Sequence, residues 1–148
     1  MTALDALTAA FAPLRTHTWA YPALEVVHIV GIALLLGNLV LLELRVWGRG
    51  RALPVADLAR LTLALALGGF ALAAASGLLM FATQAGELLT NRAFVIKMGL
   101  LMAAGANAAV FHARGSLTKL DAMARLQTGL SLLVWLAVIT CGRWIAYL

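Results

Sequence analysis

Four long runs of apolar residues, each free or nearly free of charge, follow one another along the chain, with polar residues collected between them. Each run is long enough for a membrane-crossing helix, which needs roughly 20 apolar residues. The pattern predicts spans over about 21–47, 58–84, 93–111 and 126–147. Tyr21 and Trp47 bracket the first, and Trp144 and Tyr147 close the fourth, where amphipathic rings favour the headgroup level. No stretch alternates polar and apolar positions as a membrane barrel requires. The expected fold class is therefore all-α: a polytopic four-transmembrane-helix bundle, one domain over 1–148. Before it, Leu4, Leu7, Phe11 and Leu14 recur at helical spacing in a segment too short to span. That segment reads as an interfacial helix ended by Pro13. It lacks the basic start of a cleaved signal peptide and carries Asp5 instead.

Composition agrees with this class. Hydrophobic residues make up 64% of the 148 and charged ones 11%, against about 25% charged in soluble domains; the mean hydropathy is +0.97. The lipid bilayer is the first partner. A net charge of +5 does not indicate nucleic acid, because the basic residues lie in short connections rather than in an aromatic-interleaved patch. Arg45, Arg49, Arg51 and Arg60 surround the first connection and Arg114, Lys119 and Arg125 the third. The positive-inside rule places both in the cytoplasm and both termini on the periplasmic or extracellular side. Cys141 is the only cysteine, which excludes an internal disulfide and CxxC chemistry.

Ionisable groups within spans are costly and mark function. With the termini outside, Glu25, His28, Lys97 and Arg143 all fall in the outer half of the bundle. Glu25, His28, Gly31, Leu35 and Asn38 share one face of the first helix at roughly 100° per residue. Thr62, Gly69, Ala73, Ser76, Met80 and Thr83 form a stripe on the second. Lys97, Ala104, Asn107 and Ala108 line the third, and Thr140, Arg143 and Tyr147 the fourth. Small residues in such stripes commonly serve close helix packing, and Lys97 and Arg143 are near enough to the interface to snorkel. The plain alternative for His28 is a pair with Glu25 one turn away. Glu43 and Arg45 are expected to pair at the inner rim or to meet headgroups, and His17 and His112 to be solvated.

The string from Trp19 through Tyr21-Pro22, Glu25, His28 and Gly31, then Glu43-Leu44-Arg45, Ser76-Gly77, Met80-Phe81, Asn91, Phe94, Lys97 and Gly142-Arg143 to Tyr147 resembles a family of small bacterial inner-membrane proteins of undefined function. Members of that family more often carry Asp where Glu43 stands. Its fold is similar to the CopD-like copper-resistance membrane domains and, more distantly, to HemJ-type protoporphyrinogen oxidase. The latter associates a first-helix histidine and a third-helix lysine with b-type haem. The resemblance thus implies a bacterial inner-membrane location and directs attention to His28 and Lys97.

A haem site suits these residues chemically. His28 is the expected iron ligand, with Glu25 orienting its other ring nitrogen. Gly31, Gly69 and Ser76, with Ala73, would leave a slot for the macrocycle; Lys97 and Arg143 would meet propionates, and Met80, Lys97 or water would take the sixth position. The expected function is electron transfer or a small redox reaction, an oxidoreductase role with a quinone or porphyrin-like partner. A second copy of the chain would help enclose so large a cofactor. Copper handling is the alternative, with His28, Met80, Met98, Met102 and Cys141 as soft or borderline ligands, although their helical phases do not converge. A third reading keeps the charges purely structural.

Overall fold

The computed structural model describes residues 2–147, and the described residues are helical with no strand. Four helices are long and apolar enough to cross a bilayer: α2 (Ala20–Val46), α3 (Val55–Ala82), α5 (Arg92–Ala113) and α7 (Ala122–Trp144). Three short ones accompany them: α1 (Ala3–Thr16), α4 (Ala85–Thr90) and α6 (Ser116–Lys119). The molecule is turned inside out relative to a soluble bundle. Ile29, Leu67 and Met102 are 64%, 68% and 77% exposed, whereas the interior is lined by small and polar residues. That surface fits a multi-pass protein surrounded by lipid.

The stripe of small residues explains the tightest contact. On α3, Ala59, Thr62, Ala66, Gly69, Ala73 and Ser76 are buried, and of these Gly69 and Ala73 meet Gly31 and Leu35 of α2. A Cβ added to Gly69 would stand 2.6 Å from the Gly31 carbonyl oxygen and 2.6 Å from the Leu35 nitrogen. One added to Gly31 would stand 2.7 Å from the Ala73 nitrogen. Here the backbones themselves touch, which only glycine permits. The α2–α3 hairpin is the most extensive pairing and α5–α7 the next, with α2 against α7 joining them. Large rings fill what remains of the seam: Phe81 of α3 stacks on Phe94 of α5 at 5.5 Å, and Phe70 of α3 meets Trp135 of α7 edge-on at 6.4 Å.

Side-chain caps start three of the helices. Thr2 and Asp5 form a capping box on α1; the side chains of Asn91 and Asp121 accept from Phe94 N and Ala124 N to start α5 and α7. Asp121 explains why α7 begins at Ala122, a turn before the uncharged run. Likewise α3 begins at Val55, behind Pro54, with Asp57 and Arg60 in its first turns. Pro13 does not end α1. The helix continues to Thr16, because the proline ring accepts a helical φ and removes one hydrogen bond only. Beyond Thr16, His17 Nδ1 accepts from the backbone nitrogens of Trp19 and Ala20 at 3.2 and 3.3 Å, so this histidine caps the start of α2. Helix α1 lies across the bundle end and packs on α4, α2 and α3, with Arg15 3.6 Å from Glu87.

At the opposite end, Val46, Phe111 and Ala124 form a hydrophobic cluster with Leu117 and Leu120 of the α6 region. Buried polar groups sit beside it. Arg114 donates to Ser116 Oγ (3.1 Å), Gln127 Oε1 (3.3 Å) and Asp121 Oδ2 (3.1 Å). Asn107 Nδ2 reaches the Gln127 carbonyl at 2.9 Å, and Trp47 Nε1 the Thr128 hydroxyl at 2.8 Å. Asn107 therefore ties α5 to α7, whereas Asn38 turns to its own helix at Leu34 O, 2.7 Å.

Candidate functional site

Four helices contribute to a polar cluster about two turns inside the end that carries the termini. His28 of α2 is half-buried and lies against α3. Its Nδ1 is 3.0 Å from Ser76 Oγ, and its ring covers Gly77, where an added Cβ would stand 3.2 Å from Cε1. Ser76 also bonds its own helix, 2.7 Å from the Leu72 carbonyl oxygen. A carbonyl can only accept, so the single hydroxyl proton of Ser76 is committed to Leu72. The serine oxygen then accepts from His28, and the network assigns the ring proton to Nδ1. Nε2 is left as the nitrogen with a free lone pair.

Lys97 enters from α5, one turn after Phe94. Its Nζ would be 3.4 Å from a Cβ added to Gly142 of α7, and the ammonium acts electrostatically on His28 and lies within range of Cys141. Gly77 thus makes room for the imidazole, while Gly142 lies in ordinary contact with the lysine end. Toward the bundle end the cluster is roofed. Gln84 Nε2 donates to Tyr21 Oη at 3.3 Å, Phe81 stacks on Phe94, and Asn91 Nδ2 donates to the Ile145 carbonyl at 3.1 Å.

Several expectations need correction. The orienting partner of His28 is Ser76, not Glu25. Glu25 is exposed and, among the described residues, makes no hydrogen bond or ion pair with His28, Lys97 or Arg143. Three residues leave it roughly 60° round the helix from His28, beside the strip that meets α3 rather than on it. Arg143 also leaves the cluster: its guanidinium stacks 4.9 Å from the Tyr147 ring centroid and Nη2 donates to Tyr147 Oη at 2.6 Å. That pair is exposed where α7 gives way to the turn after Trp144. The slot expected at Gly31, Gly69 and Ala73 is closed by backbone contact. Met80 is partly buried one turn from Ser76, its carbonyl accepting from the Thr83 hydroxyl, and among the described residues it makes no hydrogen bond to His28. Met98 and Met102 are exposed at 37% and 77%. Glu43 does not pair with Arg45, whose Nε donates instead to Leu53 O at 2.8 Å. His112 is exposed beside Phe111, as expected of a solvated histidine.

Gly77 and Gly142 stand in the sequence next to Ser76 and Arg143, but only their contacts reveal their use. Many residues of the motif string nonetheless gather here: Tyr21, His28, Ser76, Gly77, Phe81, Asn91, Phe94, Lys97 and Gly142. Among the described residues no group of three or more His, Cys, Asp or Glu side chains is placed to hold a metal ion. No family model, curated protein or solved structure matches the chain.

Proposed function

We propose that the chain is a b-type haem protein of the bacterial inner membrane, both termini outside, acting in electron transfer or a small redox reaction with a quinone or porphyrin-like partner. The observation that carries this reading is the 3.0 Å contact of His28 Nδ1 with Ser76 Oγ, from which the tautomer is assigned. The histidine's Nδ1–H is held by Ser76 while Nε2 keeps its lone pair, the form in which an imidazole ligates iron. One such ligand suffices for haem iron, whereas a small metal ion bound by side chains alone needs more donors than gather here. Bound iron would supply reversible one-electron exchange.

The chain's own residues do the rest. Ser76 holds the ring through Nδ1, Gly77 leaves room for it against α3, and Lys97 offers the cation for a carboxylate of the cofactor or its partner. The closed α2–α3 crossing at Gly31 and Gly69 is scaffold in this reading. Rings at Phe81 and Phe94 would shield the cofactor from water. The orientation rests on the basic connections at the α6 end, Arg45 to Arg60 and Arg114 to Arg125.

Pyridine haemochrome analysis of the protein purified from haem-replete cells tests the proposal. Haem b near one per chain is expected, lost in His28→Ala and retained in Glu25→Gln. A folded wild-type preparation without haem refutes it.

A further inference from the structure

One buried acid takes no part in the His28 cluster. Glu43 lies on α2 about four turns further along, toward the α6 end, and is only 4% exposed. Its carboxyl faces the Ser131 hydroxyl of α7, and among the described residues Oε2 has no hydrogen-bond partner. Cations are plentiful at this end, but they are engaged or turned outward. Arg45 donates to Leu53 O at 2.8 Å and Arg51 to Gly48 O at 3.2 Å. From α3, Arg60 pairs with Asp57 at 3.4 Å, both exposed. At the start of α7, Asp121 holds Arg114 at 3.1 Å, and Arg125 is exposed. Arg49, His112 and Lys119 are exposed as well.

An ionised carboxylate sealed from water without a counter-charge is strongly disfavoured. The neutral acid is not: its hydroxyl and carbonyl oxygens need only a serine and modest polarity around them. We infer that Glu43 is a reversible proton-binding site, separate from the His28 centre, which takes up one proton from the aqueous phase at the α6 end. Binding converts the carboxylate to the carboxylic acid and involves no electron. Release leaves an anion with Ser131 as its polar neighbour, so proton loss favours states in which α2 and α7 part enough to hydrate the carboxyl. The site senses pH from within a membrane-crossing segment, and it does so whether or not haem is bound.

Infrared difference spectroscopy of the full-length protein in liposomes tests this, using pH steps and comparing wild type with Glu43→Gln. A carboxylic-acid carbonyl band is expected in wild type at neutral pH, absent from Glu43→Gln, and falling about tenfold per unit once the pH passes its titration point. Sodium at fixed pH should leave it unchanged. Glu43→Asp should retain the band at a shifted frequency, which keeps the assignment secure if the glutamine variant fails to fold. Absence of the band, a band indifferent to pH, or its loss on adding sodium would each overturn the inference, the last in favour of a sodium site.

Discussion

Single side chains decide most at the two ends of the bundle. Ser76 spends its one proton on a carbonyl and thereby sets the tautomer of His28. Ser76→Ala should therefore keep the fold but lower haem affinity by about 10–100-fold, the usual effect of removing an orienting partner from a ligating histidine, as read from spectral titration. Gly77→Val should act on the same ring from below, since an added Cβ already stands 3.2 Å from Cε1; Gly86, whose Cβ direction is open, supplies the control. Asp121 illustrates a plainer chemistry. The Ala124 N–H first, and the Arg114 guanidinium next, hold its carboxyl below the ordinary carboxylate range. A carboxylate depressed in the folded state stabilises the fold above its unfolded value and loses that contribution as pH falls through the folded one. Thermal melts in detergent should show stability declining below ~pH 4, with a smaller decline in Asp121→Asn.

Helices gain definition from contacts that side-chain periodicity describes only in part. The four spans and the α3 stripe were legible from hydropathy and spacing, because lipid-facing and interior positions differ so sharply in composition. Ends were less so. Pro13 looked terminal and is internal, and α4 and α6 are too short to leave a periodic signal. His17 is exposed, as expected, and its Nδ1 also accepts from the backbone at the start of α2; His17→Ala should cost about 0.5–2 kcal/mol, the range for a lost cap. The meaning of Gly31 and Gly69 was open between slot and seam. Their backbones in contact settle it as seam, so Gly69→Ala should destabilise by about 1–3 kcal/mol through overpacking. Gly68→Ala, with nothing within 4 Å of its added Cβ, should be near neutral. Denaturation in mixed micelles compares the two directly.

Across the whole molecule, two hairpins meet along a seam, and each end of that seam has its own chemistry. The terminus-bearing end brings an imidazole from one hairpin and an ammonium from the other beneath a roof of aromatic and amide contacts. The α6 end holds the Arg114–Asp121–Gln127 network and the isolated Glu43 carboxyl. Sequence placed His28 and Lys97 at one depth but added Glu25 and Arg143, because helical phase is too coarse to separate a face that meets a neighbouring helix from one beside it. The central claim is that His28 offers a free Nε2 to haem iron at the hairpin seam. Titration of haem b into haem-depleted protein in liposomes, followed at the Soret band for wild type and His28→Ala in parallel, tests it most directly. Saturable one-to-one binding by wild type, weakened at least a hundredfold in the variant, is the predicted result; equal binding by both, or none by either in folded protein, contradicts it.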